Sequence, residues 1–403
     1  MAETRTLLIT LNGKDRPGVT SLVFDTLAGF AVEVLDIEQI VLRGRLILGV
    51  LVSAPRDWHA LQDAITTVAR SLDMALDIQP GSGDNRSRPQ GRSHVTVLGV
   101  PLTSAAVAAI AGRIADSGAN IDRIERMARY SVTAIDLHVS GTDTDRLRPL
   151  LAAEAARQGV DVAVQPANIL RRGMRLIVMD VDSTLIQGEV IEMIAAHAGC
   201  EAEVAAVTAR AMNGEIDFAE SLRERVALLK GVPVGALEKV YDELVLAPGA
   251  RTTVRTLKRL GYRFAIVSGG FTQITDRLAE ELGIHYSRAN ELEIEDGVLT
   301  GRVVGEIVDR EGKAAALRDF AERIGLPLAA TIAIGDGAND LDMLNAAGLG
   351  IAFNAKPVVR AAAPTAVNVP YLDAVMYLLG ITREEIEAAD EAAGITTPAP
   401  PIE

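Results

Sequence analysis

Apolar positions recur along this chain in two styles, and the change between them falls near Gly173. In the first style, short alternating runs are separated by helical apolar faces. Thr6–Leu11 predicts a strand, the turn formers Asn12-Gly13-Lys14-Asp15-Arg16-Pro17-Gly18 predict a loop, and Val19–Phe30 carries a helical face. Ile37–Ser53 alternates as two strands hinged at Arg43-Gly44-Arg45, Trp58–Leu72 is helical, and Met74–Gln79 predicts a fourth strand. After the polar stretch Pro80–Ser93 the same order returns. His94–Val100 predicts a strand, Thr103–Ser117 a helix, Asn120–Ser140 two strands, Leu147–Gln158 a helix and Asp161–Gln165 a last strand. The expectation is two α+β units of βαββαβ order, each a small antiparallel sheet covered by two helices.

From Gly173 onward the apolar runs become compact and end in Asp, Ser or Gly. Arg175–Asp180, Arg263–Gly270 and Thr331–Gly337 are of this kind, with helical stretches between them. Such runs predict buried strands of a parallel α/β sheet, with polar chemistry at their carboxyl ends. Glu291–Val303 reads instead as a hairpin turning at Asp296-Gly297. The expected organisation is a first βαββαβ domain over 1–80, a linker over 81–93, a second such domain over 94–168, an α/β domain over 169–395, and a disordered tail over 396–403.

Composition narrows the possible functions. The 403 residues are 49% hydrophobic and 23% charged, a globular balance, and 54 acidic against 40 basic residues give a net charge of −14. That field disfavours general binding to nucleic acid or to anionic membranes, so an anionic substrate must be drawn to a local positive site. No apolar stretch approaches the length of a membrane span, and Met1–Thr10 does not read as a secretory leader, so a cytoplasmic protein is expected. The single cysteine, Cys200, excludes an intramolecular disulfide and a multi-thiolate metal site, and the five histidines are scattered without ligand spacing along the chain.

The strongest chemical signal is Asp180-Val181-Asp182-Ser183-Thr184, directly after an apolar strand. Two carboxylates, two positions apart where a strand turns outward, can approach one site; a buried acidic pair is costly unless a metal ion or a separation of pKa values compensates. One can bind Mg²⁺ and attack phosphorus while the other donates and then accepts a proton. Asp and Ser also cap helices after strands, so the fragment alone is open to that reading. Further candidates follow in order. Ser268-Gly269-Gly270 offers a hydroxyl and bare N–H groups for phosphate oxygens, Lys313 a cation, and Asp336 in Asp336-Gly337-Ala338-Asn339-Asp340 a hard oxygen ligand. Alone, the Ser268-Gly269-Gly270 segment is more often a turn and Lys313 more often a surface charge; the combination is specific.

These four segments resemble the ordered motifs of the haloacid dehalogenase superfamily, whose core is an α/β Rossmann-like fold. The resemblance implies Asp180 as a nucleophile forming an aspartyl-phosphate and Asp182 as general acid/base. Mg²⁺ would be held by Asp180, Asp336 and the backbone carbonyl of Asp182. Ser268 and Lys313 would bind the phosphoryl group, and Asp340 would support the site from behind. An Asp at position 182 fits a phosphatase; the dehalogenase branch lacks it.

Substrate choice falls to the segment between Asp180 and Ser268, longer than one βα unit needs and mostly helical over about 189–246. It predicts a helical cap. A phosphorylated amino acid needs an anion for its ammonium and a guanidinium for its carboxylate, for which Glu189 and Arg225 are suitable types, although solvated helix charges would look the same. The stretches LIQGEVIEMIA and AMNGEIDFAESLRERVALLKG are similar to the cap of phosphoserine phosphatases. That similarity implies Glu189 and Arg225 at the serine moiety, Met212 and Phe218 in the cap lining, Asn339 and Gly269 on the substrate side, and hydrolysis of O-phospho-L-serine, the last step of serine biosynthesis.

The two N-terminal units resemble ACT domains, modules that commonly sense amino acids. Asp15-Arg16-Pro17-Gly18 matches their ligand loop, with Asn12 nearby, and plain loop chemistry remains the equal alternative. The second copy has Val100-Pro101-Leu102-Thr103 at the equivalent turn and is expected to serve in packing. A homodimer and feedback inhibition by the product L-serine follow from the resemblance. Competing readings are a phosphatase or phosphotransferase for another small phosphate ester, such as phosphohomoserine, and an inactive amino-acid sensor.

Overall fold

A computed structural model of the chain describes residues 5–82, 91–173, 175–212 and 215–397. Most of the expected linker and the end of the expected tail, 398–403, lie outside the described residues. The chain divides into two compact units, Met1–Pro89 and Gln90–Glu403.

The first unit runs β1 (Arg5–Lys14), α1 (Val19–Ala28), β2 (Val34–Leu42), β3 (Arg45–Ser53), α2 (Trp58–Ser71) and β4 (Ala75–Ser82), with sheet order β2-β3-β1-β4. One sheet face carries Leu7, Ile9, Leu11, Leu48 and Val50 against Val23 and Leu27 of α1 and Leu61 and Ile65 of α2, and Trp58 packs half-buried against that core. Arg43 and Gly44, with φ of 49° and 72°, make the two-residue hairpin turn read from the sequence. Two boundaries differ from expectation. Asn12-Gly13-Lys14 continue β1 because β3 pairs with them as far as Arg45, and β4 continues through Pro80-Gly81-Ser82 opposite Arg5–Leu7. Pairing along a whole ladder overrides the local turn propensity of Asn and Gly.

The second unit opens with β5 (Arg92–Gly99), α3 (Ser104–Asp116), β6 (Asn120–Ala128), β7 (Thr133–Ser140), α4 (Thr144–Gln158) and β8 (Asp161–Pro166), with sheet order β6-β7-β5-β8. The α/β region follows with β9 (Leu176–Met179), then α5 (Val190–Ala198), α6 (Glu201–Met212), α7 (Phe218–Leu228), α8 (Gly235–Glu243) and α9 (Ala250–Arg259). Next come β10 (Arg263–Phe271), α10 (Thr272–Leu282), the hairpin β11 (Tyr286–Glu295) and β12 (Val298–Val304), and α11 (Arg310–Arg323). The chain then adds β13 (Thr331–Gly335), α12 (Leu341–Ala346), β14 (Leu349–Phe353), α13 (Pro357–Ala362), β15 (Thr365–Val367), α14 (Val375–Leu378) and α15 (Arg383–Ala392). Seven strands form one sheet of order β12-β11-β10-β9-β13-β14-β15, parallel except for β12.

Strand β9 sits at the centre and its alternate residues face opposite layers. Ile177 and Met179 join one core, Leu176 and Val178 the other. The chain leaves β9 towards β10 on one side and returns to β13 on the other. Asp180 therefore lies where the strand order reverses, the place at which open α/β sheets receive ligands.

The second βαββαβ module shares a core with the α/β region. Leu98, Met127, Val132, Ala134 and Ala163 are continuous with Ile177, Met179 and Tyr377. The carboxylate of Asp161 accepts from the backbone N–H of Asn368 at 2.6 Å, and Gln165 Nε2 donates to the Leu378 carbonyl at 2.6 Å. Strand pairing also places His94 opposite His138. With Asp136 they form a cluster whose potential ligand atoms lie within 4.8 Å of one another, a proximity the linear spacing did not reveal. Arg171 reaches the same Asp136 carboxylate at 3.3 Å, so the charge there is already compensated by a guanidinium. Thr397, inside the stretch expected to be disordered, donates to Asp390 at 2.7 Å. Among the described residues, no helix is long and apolar enough to cross a membrane.

Candidate active site

The carboxyl ends of β9, β10 and β13 meet at the floor of a cleft of about 690 Å³, closed on its other side by α5, α6 and α7. Asp180, Asp182, Glu189, Phe218, Arg225, Gly269, Lys313, Asp336 and Asn339 all line it, so the structure brings together most of the residues singled out in the sequence. Ser268 and Asp340 are fully buried behind the floor. The side chain of Met212 lies outside the described atoms.

Lys313, near the start of α11 and 1% exposed, bridges two buried carboxylates: its ammonium lies 2.8 Å from Asp180 Oδ1 and 2.7 Å from Asp340 Oδ1. Burial works against its charge, but these two anions outweigh that and push its pKa up. The second oxygen of Asp340 accepts from the Gly337 N–H at 3.0 Å, so both of its oxygens are engaged. Burial and the neighbouring Asp340 push the Asp180 carboxyl well above the usual range, with Lys313 opposing. Burial and Asp340 likewise push Asp336 up to about 6, while Thr184 donates to it at 3.1 Å.

Asp182 is held from two sides. The N–H of Val190 at the start of α5 donates to one oxygen at 2.8 Å, and the Ser268 hydroxyl donates to the other at 3.1 Å. Burial raises its pKa against the opposing effect of these bonds. Ser268 Oγ also accepts from the Gly270 N–H at 2.8 Å. Ser268 thus orients Asp182 and does not itself line the cleft, whereas Gly269 and Gly270 of the same turn do. Gly269 is required by proximity: a Cβ there would lie 2.9 Å from Cζ of Phe218 in the cap. Asn290 fixes the turn from behind, donating to the Gly269 carbonyl at 2.8 Å and accepting from the Val308 N–H at 2.8 Å.

Glu189 accepts from the Ser183 hydroxyl at 3.1 Å, and burial followed by the charge of Asp182 pushes it up to about 7. Ser183 takes φ of 55°, a conformation that costs a non-glycine residue about 1 kcal/mol and here turns its hydroxyl towards Glu189. Arg225 is lowered by burial, with Glu189 and Asp182 opposing, and its Nε donates to the Ser221 carbonyl at 3.3 Å. The cleft therefore has an acidic floor around one lysine and a cap wall bearing one carboxylate and one guanidinium.

Asp180, Asp336 and Asp340 offer carboxylate oxygens within 4.8 Å of one another, a donor set of hard ligands that suits Mg²⁺. Because Lys313 and Gly337 take up both oxygens of Asp340, and Lys313 with the Val181 N–H takes up Oδ1 of Asp180, the oxygens left to a cation are Asp180 Oδ2 and those of Asp336. Sequence reasoning did not assign roles to Thr184, Asn290, Ser221 or Lys356, the last at the cleft rim. Thr184 was visible as the end of the first motif; the others gain meaning only from tertiary position.

In the first unit, Asn12 lies near the end of β1, Asp15 in the turn after it and Gly18 before α1. Asn12 Oδ1 accepts from Arg45 at 3.3 Å, the Asp15 N–H donates to the Gly44 carbonyl at 2.8 Å, and Gly18 with φ of 92° starts α1. A cavity of about 720 Å³ lies at the opposite end of β1, lined by Arg5, Arg56 and Trp58 among others.

Comparison with known proteins agrees with this architecture. Residues 177–345 match the haloacid dehalogenase-like hydrolase family, and 5–79 and 92–165 each match an ACT domain family. The chain is 62% identical over 394 residues to a phosphoserine phosphatase of Streptomyces coelicolor, covering 97% of this chain and 96% of that one. It is 52% identical over 389 residues to phosphoserine phosphatase SerB2 of Mycobacterium tuberculosis, covering 95% of each. Among solved structures, a probable phosphoserine phosphatase from Vibrio cholerae is similar at 36% identity and a TM-score of 0.57, over 74% of this chain and 88% of that one. A HAD family hydrolase from Salmonella enterica has 30% identity and a TM-score of 0.63, over 72% and 99%.

Proposed function

The chain belongs to the phosphoserine phosphatase family of haloacid dehalogenase-like hydrolases with two ACT domains, and on that footing we propose that it hydrolyses O-phospho-L-serine to L-serine and phosphate. The observation that carries this reading is the pairing of Glu189 and Arg225 on the cap wall above the Asp180–Lys313 floor of one cleft. An amino acid phosphate presents an ammonium, a carboxylate and a phosphate, and the cleft presents an acceptor or a cation for each.

In this mechanism Asp180 attacks phosphorus and the seryl oxygen leaves, taking a proton from Asp182, whose raised pKa suits a donor. The resulting aspartyl-phosphate is then attacked by water, whose proton passes to Asp182 as inorganic phosphate is released. Lys313 and the Gly269 N–H neutralise the equatorial oxygens in both steps, while the Gly270 N–H holds Ser268. Ser268 holds Asp182 in place, and Asp340 holds Lys313. Asp180, Asp336 and the carbonyl of Asp182 would hold Mg²⁺, which supplies charge stabilisation for the transferring group.

We assign the reaction to the last step of serine biosynthesis in the cytoplasm, with the first ACT module sensing L-serine around Asn12, Asp15 and Gly18 in a homodimer. Feedback requires serine to bind the less active arrangement more tightly. The test is phosphate release from O-phospho-L-serine with Mg²⁺ or EDTA, with and without added L-serine. Metal-dependent turnover that vanishes in Asp180→Asn supports the reading; no turnover in folded, Mg²⁺-supplied enzyme overturns it.

A further inference from the structure

Helix α7 faces the cleft with Phe218, Ser221, Leu222 and Arg225, the i, i+3, i+4 and i+7 positions of one face. Ser221 is 1% exposed, and its hydroxyl has no hydrogen-bond partner. Its backbone is fully engaged: the N–H donates to the Asp217 carbonyl at 2.9 Å, and the carbonyl accepts from Arg225 Nε at 3.3 Å. A buried hydroxyl without a partner is uncommon in folded proteins, and alanine would fill the same helical position without leaving a polar atom dry. The same bond from Arg225 ties its guanidinium to the turn of α7 that carries Ser221, and both residues line the one cleft.

We propose that Ser221 is a specificity-determining residue whose hydroxyl donates to the substrate carboxylate alongside Arg225. This rests on the phosphoserine reading above. Discrimination follows from burial. A substrate lacking the carboxylate leaves the hydroxyl as dry as it is without substrate, whereas the amino acid phosphate gives it an acceptor.

The experiment compares full-length wild type, Ser221→Ala and Ser221→Cys on three substrates: O-phospho-L-serine, O-phosphoethanolamine and p-nitrophenyl phosphate. The expected result is a loss of about tenfold in kcat/KM on phosphoserine for Ser221→Ala, mainly through KM, with the other two substrates unchanged. Ser221→Cys, similar in volume with a weaker donor, should show a smaller loss and guards against a packing artefact. An equal fall on all three substrates, or no fall on any, overturns the proposal. A fall on both phosphoserine and phosphoethanolamine assigns the hydroxyl to the ammonium and overturns the carboxylate assignment. The wild-type rate on phosphoserine is read first: its absence, with p-nitrophenyl phosphate still turned over, overturns the phosphoserine reading and this inference with it. Normal wild-type turnover with an unaltered Ser221→Ala overturns this inference alone.

Discussion

The ammonium of Lys313 lies 2.8 Å from the carboxylate of Asp180, with both groups buried. Removing the cation leaves Asp180 and Asp340 as neighbouring buried anions held only by the N–H groups of Val181 and Gly337. Lys313→Met should therefore abolish turnover and lower folding stability by about 3–5 kcal/mol, the cost of breaking a buried ion pair. Adding Asp340→Asn should recover part of the stability and none of the activity. Urea unfolding of both variants, alongside phosphate release, measures this.

Glu189 sits near pH 7 because burial and the charge of Asp182 oppose its ionisation. The ammonium of the substrate needs the ionised form, so KM should rise as pH falls through about 7. Glu189→Gln should raise KM about 10- to 100-fold and flatten that rise. The variant retains the titration of the substrate's own phosphate, so the difference between the two KM profiles isolates Glu189. Parallel profiles would remove it from ammonium binding.

Much of the floor was legible in the sequence because several of its residues end a compact apolar run. Asp180, Gly269 and Asp336 could be placed on one edge from strand periodicity alone, before any long-range contact was known. The hydroxyl of Ser268 turns inward to Asp182 and Gly270, a direction set by packing that its place after the strand does not record. The continuation of β1 through Asn12-Gly13-Lys14 was hidden for a related reason, since only the partner strand β3 overrides the turn chemistry of those residues. The union of the second ACT module with the α/β core was likewise invisible. Leu98 and Tyr377 share a core across a separation that no local pattern records.

Gly269 leaves no room for a side chain against Phe218, and that ring belongs to the cap. Gly269→Ala should push the ring off the floor and lower kcat/KM on phosphoserine by about tenfold, an overpacking cost of about 1–3 kcal/mol. Phe218→Leu in the same background should restore part of the loss. A Gly269→Ala enzyme with wild-type kinetics would show that the ring yields freely.

The division after Pro89 predicts unequal truncations. A chain starting at Gln90 should retain phosphatase activity and the thermal midpoint of its catalytic unit. A chain starting at Ile169 loses Leu98, Met127 and Ala163 from the common core, together with the Asp161–Asn368 and Gln165–Leu378 hydrogen bonds. Its midpoint should fall by at least about 10 °C. Scanning calorimetry of the two truncations checks the contrast; equal midpoints would refute it.

The two donors that hold Asp182 come from opposite walls, one from the first N–H of cap helix α5 and one from the end of core strand β10. Cap and core therefore grip one carboxyl together: the two donors favour its ionised form, while the burial that both walls create opposes it. A substitution that loosens either wall changes both influences at once.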